Sequence, residues 1–327
     1  MKKSMLLVLL LSPILLFPQE MSKENQEFKD IVMKYAYQYL SPMHVKVLEE
    51  SYSGPERYFS INRETGERYR RIYDEISDKI VLGKIEVGVH ESTHLFCGGG
   101  NRFIVSPTEY LDVQKTEVIR TSLIANDMIN RNNLIQDLQL FNLYINLDYN
   151  QPQGSNTWGI YGLMDEYCAY YNGVSAAWIL YKELKKEQEL SSNDSILECY
   201  HMRAYSVGIA ALGHMDAFYE FNSFIAAYLI YTQDHHSNIY DGIINNTEFL
   251  RAYAIVTNNY QKLAEDIQKE FPENRMHWYD KMTQKLEMNE GAGVNLDWKE
   301  VKSIYNDYIP FLEELRNIAN KHLLTKK

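Results

Sequence analysis

Cysteine is scarce in this chain: Cys97, Cys168 and Cys199 are the three in 327 residues. Three cannot build a disulfide scaffold, and an odd number leaves at least one thiol unpaired within the chain, so the plain reading is three small buried hydrophobes. Basic charge is also short. Lys+Arg number 33 against 44 Asp+Glu, a formal net charge of −11, which is the wrong sign for gripping a nucleic-acid backbone, and no nucleic-acid partner is expected. Beyond the N-terminal segment, no run reaches the ~20 apolar residues of a membrane-spanning helix. Internal repeats, low-complexity tracts and a linker that would divide the chain are all missing. What is plentiful is apolar surface: hydrophobic residues make up 45%, which excludes a wholly disordered chain and supplies one large domain or two ordinary ones. Tyrosine is the outlier, 26 against 12 Phe and 4 Trp, and its apolar ring with a polar tip suits half-buried helix faces or a polar cleft.

The N-terminus begins Met1-Lys2-Lys3-Ser4 and runs apolar from Met5 to Phe17, interrupted by Ser12-Pro13. Two lysines ahead of a short apolar stretch match a secretory signal, read here as residues 1–19, although Phe17-Pro18-Gln19-Glu20 lacks small residues for cleavage. The rival reading is a retained N-terminal anchor. The expectation is an exported protein (secreted, periplasmic or cell-surface) with no stable membrane span after signal removal.

Residues 20–327 read as one unit, divisible into a β-containing part at 20–110 and a helical part at 111–327. Around Asn62-Arg63-Glu64-Thr65-Gly66 two alternating runs suggest a β-hairpin. Residues 84–89 read as a strand or as the first turn of the helix after them, and 101–106 as a short strand closed by Pro107. Helical spacing predicts helices over 114–130, 133–145, 163–187, 195–231, 246–270, 273–288 and 298–324. A long polar loop, Asp148 to Thr157, precedes Trp158-Gly159, and loops of that length in a compact unit are often functional. The fold class is α+β and predominantly helical.

The chemistry concentrates in Val87-Gly88-Val89-His90-Glu91-Ser92-Thr93-His94-Leu95-Phe96, followed by Gly98-Gly99-Gly100. On a helix, residues four apart lie about 40° apart around the axis, so His90 and His94 share a face and both imidazoles can reach one Zn²⁺. Glu91 falls about 60° from His94, able to act as general base without ligating. The glycines read as a helix stop. A surface helix with two histidines and a chance Glu is the bland alternative, made less attractive by apolar flanks on both sides. A catalytic zinc needs a third protein ligand and an open position. A third His six residues after the second is excluded, because that position is Gly100. A Glu from a later helix remains, and Glu166, with Ala169, Tyr170 and Gly173 on its face, is favoured. Small residues there would let two helices approach closely, and Tyr170 would bond the carboxylate or a ligand His. Glu117 and Asp165 are rival ligands; Glu117, among Lys115, Thr116 and Arg120, looks like part of a solvated helix face.

On His90-Glu91-x-x-His94 and on Asp165-Glu166-Tyr167-x-Ala169-Tyr170, over perhaps a quarter of the chain, the sequence resembles the gluzincin branch of zinc metallopeptidases. The resemblance implies a zincin-like fold, Zn²⁺ as cofactor, a peptide or protein substrate, and hydrolysis of peptide bonds by a metal-activated water with Glu91 as general base. It departs from many gluzincins in the 72 residues between His94 and Glu166. An oxyanion needs a further donor. His201, Tyr205, His214, Tyr219 and Tyr231 are candidates, His214 first among them. Strand 102–106, as a free edge, would offer an extended peptide a place to pair. Two other readings stand beside the peptidase: a zincin-like binding protein without turnover, and a helical interaction module whose motif is accidental.

Overall fold

The computed structural model describes residues 23–51, 82, 85–190, 207–208, 211–212, 214–271 and 298–324. The expected signal segment, the hairpin around 62–66, the helix at 273–288, Cys199, His201 and Tyr205 lie outside the described residues. The described chain is predominantly helical with one small sheet. In order it forms α1 (Lys23–Tyr39), α2 (Pro42–Ser51), α3 (Ile85–Cys97), β1 (Arg102–Ser106), β2 (Glu109–Asp112), α4 (Ala125–Arg131), α5 (Phe141–Tyr144), α6 (Gly154–Thr157), α7 (Ile160–Leu190), α8 (Ala217–His235), α9 (Ser237–Ile244), α10 (Thr247–Glu270), α11 (Trp298–Asn306) and α12 (Ile309–Leu324). No described helix is long and apolar enough to cross a membrane.

The longest helix, α7, sits at the centre. Nearly every side chain from Ile160 to Leu184 is buried, so it has no solvated stripe and must be covered on all sides. Helix α3 covers one side, antiparallel: Gly173 of α7 faces Glu86, and Gly100 faces Tyr161. Both contacts depend on a missing side chain, since a Cβ on Gly173 would lie 2.8 Å from the Glu86 carbonyl and one on Gly100 2.9 Å from the Tyr161 carbonyl. Helix α8 covers another side and is buried on nearly every face. Asn222 ties three helices together: its amide donates to Tyr167 OH on α7 at 2.8 Å and its oxygen accepts from Tyr253 OH on α10 at 2.7 Å. Rings from α7, α8 and α10 pack around that junction, with Tyr167 stacked on Tyr260 and tilted against Phe221.

Residues 84–89 resolve in favour of the helix turn, because α3 begins at Ile85. It stops where expected: Gly98, Gly99 and Gly100 all have positive φ (59°, 70° and 80°), a run only glycine adopts without strain. β1 matches its predicted range and pairs antiparallel with β2 in the register Phe103↔Leu111. It is no free edge for a peptide. The Ile104 carbonyl accepts from Cys168 Sγ (2.9 Å) and Asn172 Nδ2 (3.2 Å), and the Val105 carbonyl from Asn259 Nδ2 (3.0 Å).

The helix expected over 114–130 is largely an extended strap. Residues 113–120 have no regular structure, and a short 3-10 turn at Thr121–Ile124 leads into α4. Tertiary bonds replace the helical ones: Thr116 N and Ile119 N donate to Tyr161 OH (3.1 Å) and Tyr228 OH (2.8 Å). The region 133–145 divides into a 3-10 turn at Asn133–Asp137 and the single turn of α5, separated by Leu138 in extended conformation. The expected 298–324 helix is α11 and α12, with the break next to Pro310, which lacks the N–H a continuous helix would need and instead sits in the first turn of α12.

Candidate metal centre

Three side chains from two helices converge. His90 Nε2 and His94 Nε2 lie 3.1 Å apart, and Glu166 Oε2 lies 3.1 Å from His94 Nε2 and 3.8 Å from His90 Nε2. All three donor atoms fall within 4.8 Å of one another, the one such His/Cys/Asp/Glu cluster of three among the described residues. Two ligands at about 2.0–2.1 Å from a tetrahedral zinc are separated by roughly 3.3–3.4 Å, so the three donors have the spacing and the chemistry of such a site. The histidines contribute matching nitrogens because they are one helical turn apart on α3. Glu166 reaches them because Gly173, two turns along α7, lets the helices touch beside His90, whose Cβ would lie 3.3 Å from a Cβ added there.

The surroundings hold these donors in place. His94 Nδ1 lies 2.8 Å from Asp165 Oδ2, which makes Nδ1 the protonated nitrogen and turns Nε2 toward the cluster. Asp165 was a rival ligand in sequence; here its carboxylate is behind the histidine. Burial would lower the pKa of His94, but the Glu166 charge and the Asp165 hydrogen bond outweigh it and hold the group well above its ordinary value. Burial, with the neighbouring His94 and His214, pushes His90 well below. The cluster therefore favours a neutral His90 and a cationic His94. A metal ion would take the place of the His94 Nε2 proton, so binding should release a proton.

Tyr170 packs edge-on against the His90 ring, centroids 4.5 Å apart, where a hydrogen bond to the carboxylate or to a histidine of the cluster was expected. Its hydroxyl lies 3.3 Å from that of Tyr144, which sequence reasoning missed. Tyr144 is buried beside Glu166; burial, then the Glu166 charge, raises its phenol well above the ordinary value. It stands on α5, inside the stretch 133–145 read as helical, where spacing alone does not single out one tyrosine among 26. Glu91 is half-buried on α3 and is not one of the three converging donors. Glu117 is exposed on the extended strap, outside the cluster, and the helix face imagined for it does not exist.

His214 comes near. Its ring packs against Tyr170 with centroids 5.6 Å apart, and Nδ1 lies 3.1 Å from Oε2 of Glu86, a carboxylate buried at the start of α3. Glu86 was not anticipated; an acidic residue in a first turn ordinarily reads as favourable to the helix dipole. Tyr219 and Tyr231 are engaged elsewhere, Tyr219 against Phe218 and Tyr305, and Tyr231 against His235 and His236.

The polar loop borders the same region. Asn156, fully buried, donates to the carbonyls of Asp148, Tyr149 and Gln151 and accepts from Ser122 N, which gathers the loop into a fixed shape. The loop ends at Trp158, whose ring occupies the space a Cβ on Gly99 would fill, while Lys115 Nζ lies 4.8 Å over that ring and donates to Gly99 O at 2.8 Å. The end of the histidine helix is thereby clamped to the start of α7.

No family model, no curated protein and no solved structure matches this chain. The chain carries a His/His/Glu cluster able to bind a divalent metal.

Proposed function

We propose that the protein is an exported zinc-dependent peptidase of gluzincin type, zincin-like in fold, with His90, His94 and Glu166 as metal ligands and Glu91 as general base. The observation that carries the reading is the convergence of both Nε2 atoms and the Glu166 carboxylate within 4.8 Å, with Asp165 fixing the tautomer of His94. A zinc ion held there supplies Lewis acidity toward a scissile carbonyl and toward water. Glu91, one residue after His90 and outside the ligand set, accepts the proton of the attacking water and returns it to the leaving amine. His214, half-buried and held by Glu86, donates a hydrogen bond to the oxygen that gains negative charge. Tyr144 and Tyr170 exclude water from the far side of Glu166 and His90 and keep those two side chains in one orientation.

Zinc stoichiometry of wild type, His90→Ala, Glu166→Ala and Glu117→Ala tests the ligand set: one zinc per chain in wild type and Glu117→Ala is expected, with loss in the other two. Cleavage of a mixed peptide library by wild type and Glu91→Gln tests the activity. Zinc retained by Glu91→Gln with cleavage reduced at least about 100-fold supports the peptidase. Zinc present with no cleavage by wild type would leave a metal-binding protein without turnover. Wild type purified without chelator and free of zinc would overturn the metal centre.

A further inference from the structure

Helix α8 carries an acid into the core. Glu220, in its first turn, is 2% exposed and lies beside Phe221 on a helix buried on nearly every face. Taking a carboxylate out of water is costly unless the contacts around it repay the loss. The contact it makes is with backbone: Oε2 accepts a hydrogen bond from Leu140 N at 2.8 Å. Leu140 is the residue that starts the α5 turn, and it has no polar side-chain atom with which to cap that turn itself. A single turn of four residues has little hold of its own, because its internal bonds do not repay the fixing of its backbone. Its place is therefore set from outside. Phe224 of α8 is tilted against Phe141 with centroids 6.4 Å apart, and Thr121 Oγ1 donates to Tyr144 O at 2.9 Å. Ring packing is non-directional and would tolerate a slide of the turn along α8, whereas a hydrogen bond to a fixed carboxylate would not.

What the turn carries is Tyr144. Its hydroxyl lies 3.3 Å from that of Tyr170, and the Tyr170 ring stands edge-on to His90 with centroids 4.5 Å apart. Phe221, the residue after Glu220, packs against both phenols, 5.3 Å from the Tyr144 ring and 5.5 Å from the Tyr170 ring. Glu220 is not one of the converging donors, yet a continuous set of contacts leads from it through Leu140, Tyr144 and Tyr170 to a ligand. We infer that Glu220 is a positioning residue for the metal centre: its bond to Leu140 N holds the α5 turn where the Tyr144 hydroxyl meets that of Tyr170, and so fixes the phenol that backs His90. An apolar side chain of the same length would fill the space but leave Leu140 N without its partner. The inference rests on the metal centre of the proposed function and not on peptide hydrolysis.

The test is zinc affinity of the full chain by chelator competition, with a thermal melt of each zinc-free protein. The set is wild type, Glu220→Gln, Glu220→Met, Tyr144→Phe and the double variant Glu220→Met/Tyr144→Phe. Glu220→Gln keeps an oxygen for Leu140 N and should bind zinc within about threefold of wild type, while Glu220→Met should bind at least about tenfold more weakly and still melt cooperatively. In the Tyr144→Phe background the same Glu220→Met change should cost no more than about threefold, because the hydroxyl it positions is gone. A purely structural carboxylate would shift the melts without that coupling. Should Glu220→Met not fold, Glu220→Leu is measured in its place. Zinc binding by Glu220→Met equal to that of wild type, failure of Glu220→Gln to restore it, or an equal loss with and without the Tyr144 hydroxyl would overturn the inference and leave the metal centre standing. A wild type that takes up no zinc would overturn the metal centre and the inference with it.

Discussion

Replacing Gly173 by alanine sets two opposed effects against each other at the contact that brings Glu166 to the histidines. Alanine in a helix is favoured over glycine by about 1 kcal/mol. Against that, the new methyl would lie 2.8 Å from the Glu86 carbonyl oxygen, 2.9 Å from Glu86 Oε1 and 3.3 Å from His90 Cβ. The Glu86 side chain can turn, but the carbonyl belongs to the backbone of α3. To restore an ordinary contact the helices must separate by roughly half an ångström, and such overpacking costs about 1–3 kcal/mol. The two nearly offset, so the fold should lose no more than about 2 kcal/mol. The metal site should lose more in proportion, since a binding constellation must be held within about 0.5 Å of its working geometry. We expect zinc affinity, measured by chelator competition, to fall at least about tenfold, equivalent to 1.4 kcal/mol. Gly242→Ala is the control: its methyl would meet Thr116 Cβ at 3.6 Å, an ordinary contact, so the helix gain should appear alone and zinc affinity should not change. A Gly173→Ala protein that binds zinc like wild type and melts higher would refute the claim that this glycine sets the spacing between the ligand helices.

Asp165→Ala should weaken zinc binding about 10–100-fold, because His94 loses the acceptor that fixes its tautomer, and Asp165→Asn should fall between it and wild type; chelator competition measures both. Burial pushes the Glu220 carboxyl up to about 8, with the hydrogen bond from Leu140 N opposing, so the folded state holds that proton more tightly than the unfolded chain. Its contribution to stability is full below the ordinary value of 4.5 and is lost as pH rises through 8. Denaturant titrations at about pH 5 and pH 9 should therefore show wild type losing a few kcal/mol more than Glu220→Gln, which keeps an oxygen for Leu140 N. His44, lowered by burial to about 4, has the opposite slope at acid pH and is common to both proteins, so it cancels. Asn222→Ala should destabilise by roughly 1–2 kcal/mol in the same assay, leaving Tyr167 OH and Tyr253 OH with Thr257 as their remaining buried partner.

The candidate site was legible in sequence to the extent that local geometry dictates it. His90 and His94 fall on one face because a helix has 3.6 residues per turn, and the apolar flanks marked that helix as buried. Glu166 is favoured because Ala169 and Gly173 share its face and because Glu117 looks like part of a solvated helix face, and Gly173 does sit at the contact with α3. Nothing local distinguishes Asp165 as a partner of His94 from Asp165 as a ligand. The two roles differ by which side of an imidazole the carboxylate reaches, and that depends on how α7 is rotated against α3. Glu86, Tyr144 and Glu220 were invisible for the same reason, as each acquires its role from a residue more than 20 positions away.

The strap at 113–120 shows how a tertiary demand defeats a helical pattern. Helical spacing predicts a helix over 114–130, and Val118, Ile124, Ala125, Met128 and Ile129 would share one side of it, yet the backbone of residues 113–120 bonds to other elements. Val113 N donates to Asn101 O as the hairpin closes, Thr116 N to Tyr161 OH, and Tyr228 OH both accepts from Ile119 N and donates to Ile119 O. An extended chain covers more than twice the distance of a helix per residue, and this segment has to run from β2 past Trp158 to the start of α4. Tyr161 and Tyr228 satisfy the backbone groups that the missing helix would have satisfied internally, so the cost of leaving them buried is avoided. The abundance of tyrosine, first taken as suited to half-buried faces, thus has a more specific use: buried phenols serve as hydrogen-bond partners for backbone that regular structure leaves unpaired. Tyr161 links the strap to α7 one residue into the helix, while Gly159, with φ of 53°, leaves room for the Ile119 carbonyl where a side chain would clash at 2.4 Å. The strap therefore bears on the candidate metal site: it holds the start of the helix on which Asp165 and Glu166 are carried.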